Sequence, residues 1–234
     1  MKTLVASLLF FTFLLPYSLM AQYDTTRSVP TQNDTATYRV TFESTWNNET
    51  HPHQNFPSNA HFSSLIGAVH NAQTTFWQTG DFATPGIESM AETGGTSILR
   101  SEVQEEIGRN NALAVLSGSG MIDSFEVSQM FPLVTLVTMI APSPDWFIGV
   151  SNLSLLDEQG QWRERHTVTL YPYDSGTDSG VDYTSPNANT NPPELISRIR
   201  GEFPFSNEPI GTFTFTRIDE PEPKWNIYLP LSAH

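Results

Sequence analysis

The stretch Leu133-Val134-Thr135-Leu136-Val137-Thr138-Met139-Ile140 decides the fold. It is apolar on both of the faces that an extended chain presents, so it reads as a central strand covered from two sides. Working outward, Ala36 to Ser44 alternates Tyr38, Val40 and Phe42 with Arg39 and Thr41, the period of a half-buried strand. Ser64 to His70 resumes an extended pattern with Leu65, Ile66 and Val69. The Gly80 to Gly86 region reads as loop. One helix is predicted over Ser97 to Arg109, with Ile98, Leu99, Val103 and Ile107 on one face and Thr96 as its N-cap. Further strands are expected at Ala112–Leu116, Phe125–Val127, Pro132–Ile140, Trp146–Val150, His166–Leu170, Phe213–Ile218 and Trp225–Leu229. Many short strands and one helix imply an all-β fold, an antiparallel sandwich.

The chain opens with Lys2, an apolar run from Leu4 to Leu15, Pro16 and then Met20-Ala21-Gln22. That is the pattern of a signal peptide over residues 1–21, cut after Ala21. Residues 22–35 are polar and read as a flexible lead-in. A single sandwich domain is expected over 36–218, followed by a C-terminal extension over 219–234. The remaining ~210 residues are enough to bury a core without staples. The chain has no cysteine, which removes disulfides, thiol catalysis and thiolate metal sites. A formal charge of −14, from 25 acidic against 11 basic side chains, argues against nucleic acid and anionic membranes as partners. No second apolar stretch of spanning length follows the first.

Two acidic loops leave the ends of apolar strands. One is Pro142-Ser143-Pro144-Asp145-Trp146. The other is Tyr173-Asp174-Ser175-Gly176-Thr177-Asp178-Ser179-Gly180. If the strands before them run in the same direction, Asp145, Asp174 and Asp178 converge at one rim. Calcium takes six to eight oxygens in flexible geometry, and loop carboxylates with neighbouring carbonyls supply them. The competing reading is turn chemistry, in which each Asp accepts from a backbone amide two residues on. An EF-hand is excluded, because its alternating acidic ligands and closing Glu are missing.

The segment Ala141-Pro142-Ser143-Pro144-Asp145-Trp146-Phe147-Ile148-Gly149-Val150, with Tyr171-Pro172-Tyr173-Asp174-Ser175-Gly176-Thr177-Asp178-Ser179-Gly180 and Ser185-Pro186-Asn187, closely resembles the F-spondin domain of spondins and mindin. Tyr38-Arg39-Val40-Thr41-Phe42, Trp46, His51-Pro52, His61-Phe62-Ser63 and Ile66-Gly67-Ala68-Val69-His70 agree in order and spacing, so the likeness covers Thr37 to Arg217. The resemblance implies a C2-like sandwich, secreted and non-enzymatic, that binds Ca2+ through Asp145, Asp174 and Asp178 and takes part in matrix or cell-surface adhesion. Tyr173 stands where the family often has Trp, and Ser175 where it often has Ala. The reelin-type and thrombospondin-type modules of animal spondins are absent from the chain, which leaves its partner, an extracellular protein or a glycan, unspecified.

Other residues have blander readings. His51, His53, His61 and His70 lack metal-ligand spacing and read as loop-fixing groups. Glu105 and Glu106 are neighbours on a helix and point apart, so they read as solvated surface and not as a catalytic pair. Trp46, Trp77, Trp146, Trp162 and Trp225 read as core or rim packing, with a sugar-stacking platform as the alternative. Ser117-Gly118-Ser119-Gly120 lacks the pattern of a nucleophile elbow. The loop from Ser179 to Pro193 is long enough to be functional or partly mobile, and Asp182 lies outside the expected ligand set. The expected function is a calcium-binding interaction domain, with a calcium-dependent carbohydrate-binding module as the alternative.

Overall fold

The computed structural model describes residues 35–219. The expected signal peptide, the lead-in, the strand at Trp225–Leu229 and nearly all of the C-terminal extension lie outside the described residues. The strands are β1 (Thr35–Ser44), β2 (His61–Phe62), β3 (Leu65–His70), β4 (Ala112–Gly118), β5 (Met121–Ser128), β6 (Leu133–Ala141), β7 (Trp146–Ser154), β8 (Arg165–Leu170), β9 (Tyr173–Asp174), β10 (Ser197–Arg198) and β11 (Gly211–Arg217). They form two antiparallel sheets, one in the order β5-β1-β11-β8 and the other in the order β10-β9-β7-β6-β3-β4, with β2 pairing β6. The all-β sandwich expected from the sequence is therefore present.

β6 runs through the middle of the larger sheet and is buried along almost its whole length. Val134, Leu136 and Ile140 face the smaller sheet. There they join Leu65, Val69, Ile148 and Val150 against Tyr38, Val40, Phe213 and Phe215. Val137, Met139 and Ala141 face the other way, with Ile66, Ala68 and Phe147, into a second apolar layer. Each fully buried aliphatic or aromatic side chain here contributes about 1.5–3 kcal/mol. The two-sided burial is the reason that the sequence of β6 shows no alternation.

Two helices close the second layer, where one was expected. α1 (Pro85–Thr93) buries Ile87, Met90 and Ala91, and α2 (Ser97–Gly108) buries Leu99 and Val103. α1 falls partly in the segment read as loop, because Pro85-Gly86 looks like punctuation. Proline is nevertheless suited to a first helical turn, and Thr84 caps it by accepting from the Ile87 amide at 3.2 Å. Glu102 of α2 completes that start, accepting from the Gly86 amide at 2.7 Å and the Thr84 hydroxyl at 2.8 Å. The face expected for α2 is narrower in the structure. Ile98 and Ile107 are exposed, and Thr96 makes no side-chain cap. Glu105 and Glu106 pair with Arg109, as surface groups do.

The smaller sheet keeps its outer face polar. Rows of side chains cross it in register: Glu43, Thr212 and Thr169; Thr41, Thr214 and Thr167; Arg39, Thr216 and Arg165. The hydroxyls of Thr167 and Thr214 lie 3.1 Å apart.

Gly67 of β3 lies against the backbone of β6. A Cβ there would sit 2.0 Å from the Thr135 carbonyl oxygen and 2.9 Å from the Leu136 Cα. Gly67→Ala is expected to lower unfolding stability by about 1–3 kcal/mol, the usual range for overpacking. Gly108→Ala, where nothing lies within 4 Å, is expected to be neutral or stabilising. Urea unfolding of the two variants beside the parent checks the pair, and equal midpoints for all three would refute the claim.

Candidate functional site

The two acidic loops meet because β9 adds to the edge of β7. Trp146 pairs with Asp174 in register, which sets Asp145, one residue before β7, beside the Asp174–Asp178 loop. β6 and β9 both run antiparallel to β7, so they share a direction. The strand that precedes Asp174 is β8, and it belongs to the other sheet. The chain reaches the rim by crossing between sheets at Tyr171-Pro172.

Asp145 is fully buried. Its Oδ2 accepts from the Thr177 amide at 2.8 Å, the Asp178 amide at 3.1 Å and the Ser175 hydroxyl at 3.0 Å. Its backbone carbonyl accepts from the Ser175 amide at 3.2 Å. Its Oδ1 has no hydrogen-bond partner and no access to solvent. Burial raises its pKa against these bonds.

Asp174 Oδ1 accepts from the Gly176 amide at 2.8 Å, and its Oδ2 accepts from the Trp146 indole N–H at 3.2 Å. Burial, with the charge of Asp145 added, pushes its pKa up to about 6. Asp178 Oδ1 accepts from the Gly180 amide at 2.7 Å, and its Oδ2 accepts from the Ala188 amide at 2.8 Å. The turn chemistry expected of these residues is therefore present at both Asp174 and Asp178. Gly176 has a φ of +78°, and a Cβ on it would meet the Glu194 carbonyl oxygen at 2.3 Å. At Gly180 the constraint is closeness, since a Cβ would come within 2.6 Å of Pro144.

A fourth carboxylate, which sequence reasoning missed, comes from α1. Glu92 Oε1 is enclosed and without a partner, and burial raises its pKa with help from Glu88, Asp145 and Asp178 and against the nearby Thr177 hydroxyl. The signal that could have found it was Thr84-Pro85 as a helix start with Glu88 in the first turn. None of Glu92, Asp145, Asp174 and Asp178 has an ion pair with Lys or Arg among the described residues. Among those residues no group of three or more His, Asp or Glu side chains is already converged on one metal position.

The loop from Ser179 to Pro193 folds over the rim by specific bonds. The Ser179 amide donates to the Ala188 carbonyl at 2.9 Å, and the Thr190 amide to the Thr177 carbonyl at 2.8 Å. Asp182 is engaged elsewhere, accepting from the Asn55 side-chain amide at 3.0 Å and the Tyr183 amide at 2.7 Å. Beneath the rim, Trp46, Phe56, Trp146, Tyr183 and Phe205 form an aromatic plug. The four tryptophans within the described residues are 9% exposed or less, so they are packing groups and offer no stacking platform.

The histidines serve the loops and strands. His51 Nε2 lies 3.3 Å from the Pro209 carbonyl, which can only accept, so the proton is on Nε2 and Nδ1 accepts from the Ser206 amide at 3.2 Å. His70 has the opposite tautomer by the same logic. Its Nδ1 donates to the Asn71 carbonyl at 2.9 Å, and its Nε2 accepts from Thr135 at 2.8 Å. Burial lowers the pKa of both.

The metal-free rim has a pH dependence of definite sign. Asp174 goes from the usual 3.8 in the unfolded chain to about 6 in the folded one, so its contribution is present below pH 4 and lost as pH rises through 6. At about 1.4 kcal/mol per pKa unit the loss is up to about 3 kcal/mol, and less after solvent screening. Melting in chelator across this range is expected to show a fall that Asp174→Asn makes shallower, the remainder coming from Asp145 and Glu92, whose pKa values are also raised. An unchanged slope in the variant would contradict the assignment.

Comparison with known proteins places the chain in a family. The model of the Spondin_N family matches residues 36–218. Spondin-2 of Rattus norvegicus is 35% identical over 201 residues, covering 82% of this chain and 60% of that protein. Spondin-2 of Homo sapiens is 36% identical over 193 residues, covering 78% of this chain and 57% of that protein. Spondin-1 of Rattus norvegicus is 32% identical over 198 residues, covering 77% of this chain and 24% of that protein. The chain thus spans at most 60% of these relatives.

Proposed function

The chain belongs to the Spondin_N family, and from that premise we propose that it is an extracellular, non-enzymatic interaction domain whose acidic rim binds one calcium ion. The signal-peptide pattern of the first residues and the spondin relatives support export and an extracellular matrix setting. Among the described residues no helix is long and apolar enough to cross a membrane.

The observation that carries the calcium reading is Asp145. One of its oxygens is saturated by the opposing loop, while the other is buried with no donor at all. A carboxylate oxygen left bare in a protein interior is costly, as the raised pKa of Asp145 reflects, and a bound cation would remove that cost. The donors are hard oxygens and the chain has no thiol, which suits calcium better than zinc. Asp145, Asp174 and Asp178 would hold the ion. Calcium supplies positive charge that offsets the repulsion between these loops and fixes their spacing. The shell would be completed as the side chains settle around the ion, since they are not converged beforehand.

A second reading, a carbohydrate ligand, is favoured by a groove of about 460 Å³ beside β9. Tyr171, Tyr173, Gln78, Thr169 and Arg198 line it, and the Arg198 guanidinium lies 5.7 Å from the Tyr173 ring centre. A glycan array with and without chelator separates the readings. Sugar binding that needs calcium would favour this second one.

Calcium titration by calorimetry, with melts in calcium and in chelator, tests the primary reading on the parent and on Asp174→Asn/Asp178→Asn. The parent is expected to bind one equivalent and to gain several degrees in Tm, with both effects lost in the double variant. No heat and no shift at millimolar calcium would reduce the loops to turns.

A further inference from the structure

Glu92 is not needed to start or to end helix α1, and the Thr177 hydroxyl of the acidic loop is the donor that acts on its carboxylate. The start of α1 is anchored by Thr84 and Glu102, and its end is closed by Gly94, whose amide donates to the Met90 carbonyl at 3.0 Å. Glu92 takes part in neither, and it forms no ion pair among the described residues. Its Oε1 is nonetheless shut away from solvent with no hydrogen-bond donor. Glu92 shares a cavity of about 180 Å³ with Asp178, Ser143, Pro144 and Ser185, and its charge acts on those of Asp145 and Asp178. The two partnerless carboxylate oxygens of this end of the sandwich, Asp145 Oδ1 and Glu92 Oε1, thus belong to neighbouring groups on separate elements. Two like-charged acceptors, each without a partner and each feeling the other's charge, are a standing cost that a cation held by both groups would remove.

Resting on the calcium reading above, we propose that Glu92 is a further ligand of the rim cation, so that the ion fastens helix α1 as well as the two acidic loops. The ion would then tie together the start of β7, the Asp174–Asp178 turn and the last turn of α1. A fourth carboxylate also raises the charge complement of the site. That favours calcium, or a trivalent lanthanide in its place, over magnesium, which keeps its waters. The Trp146 indole, bonded to Asp174, lies where it would sensitise a bound lanthanide.

The test uses the full chain and two probes, Ca2+ by calorimetry and Tb3+ by luminescence excited through tryptophan. Glu92→Gln is expected to weaken both by at least about tenfold, the scale on which a lost metal-site partner is felt. Glu88→Gln, an acidic neighbour one turn earlier on the same helix, is expected to stay within about twofold. Calcium should also slow amide exchange over residues 90–94 in the parent and leave it unchanged in Glu92→Gln. In chelator Glu92→Gln should melt at or above the parent, because a repelling charge is gone. If it fails to fold, Glu92→Asp retracts the carboxylate without removing it and should weaken both probes in the same way. Parent-like affinity in Glu92→Gln, or an equal loss in Glu88→Gln, would overturn the ligand role and leave the calcium reading intact. No binding of either ion by the parent would overturn both.

Discussion

The rim depends on the fork that Asp145 makes with the opposing loop. One carboxylate oxygen collects the amides of Thr177 and Asp178 and the hydroxyl of Ser175, and this holds the Asp174–Asp178 turn against the start of β7. Hydrogen bonds to an ionised acceptor are stronger than neutral ones, and burial strengthens them further. Burial also makes the charge expensive, which is why Asp145 and Asp174 are both held above the usual carboxylate range. Structure and strain in this rim have one source, a set of acids kept close together and short of positive charge.

Much of this was legible in the sequence, and the reason differs by element. The unbroken apolar run of β6 announced a strand covered from both sides, because no other environment removes alternation from an extended segment. β1 announced a half-buried strand by its alternation. The two turns of the second acidic loop were legible because Asp two residues before Gly marks a turn, and both formed, at Asp174 and at Asp178. That this loop would meet the Asp145 loop was not legible. It depends on the crossing from β8 in one sheet to β9 in the other, and strand order is a property of long-range pairing. Helix α1 was hidden by Pro85-Gly86, and Gly86 is there because Leu99 Cα and Glu102 of α2 leave no room for a larger residue. Missing that helix meant missing Glu92. The face of α2 was drawn too wide, since Ile98 and Ile107 satisfy the helical period but find no layer to pack against.

The aromatic plug under the rim explains why the acids can be buried at all. Trp146 packs edge-on against Tyr183 and Phe205, and Trp46 and Phe56 close the same cluster. These rings exclude water from beneath the loops while the Trp146 N–H supplies one of the few donors that Asp174 receives. A largely aromatic floor keeps the local dielectric low, so each charge at the rim is felt by its neighbours.

The threonine rows on the outer face of the smaller sheet bear on how such a domain lives in a crowded matrix. Another sheet laid flat on this face would have to strip water from rows of threonine, arginine and glutamate side chains, of which Thr167 and Thr214 already lie within hydrogen-bond distance of each other. The face therefore stays wettable and resists adhesive stacking of copies. In the proposed interaction role, that leaves recognition to the loops at the end of the sandwich, where the buried acids are gathered.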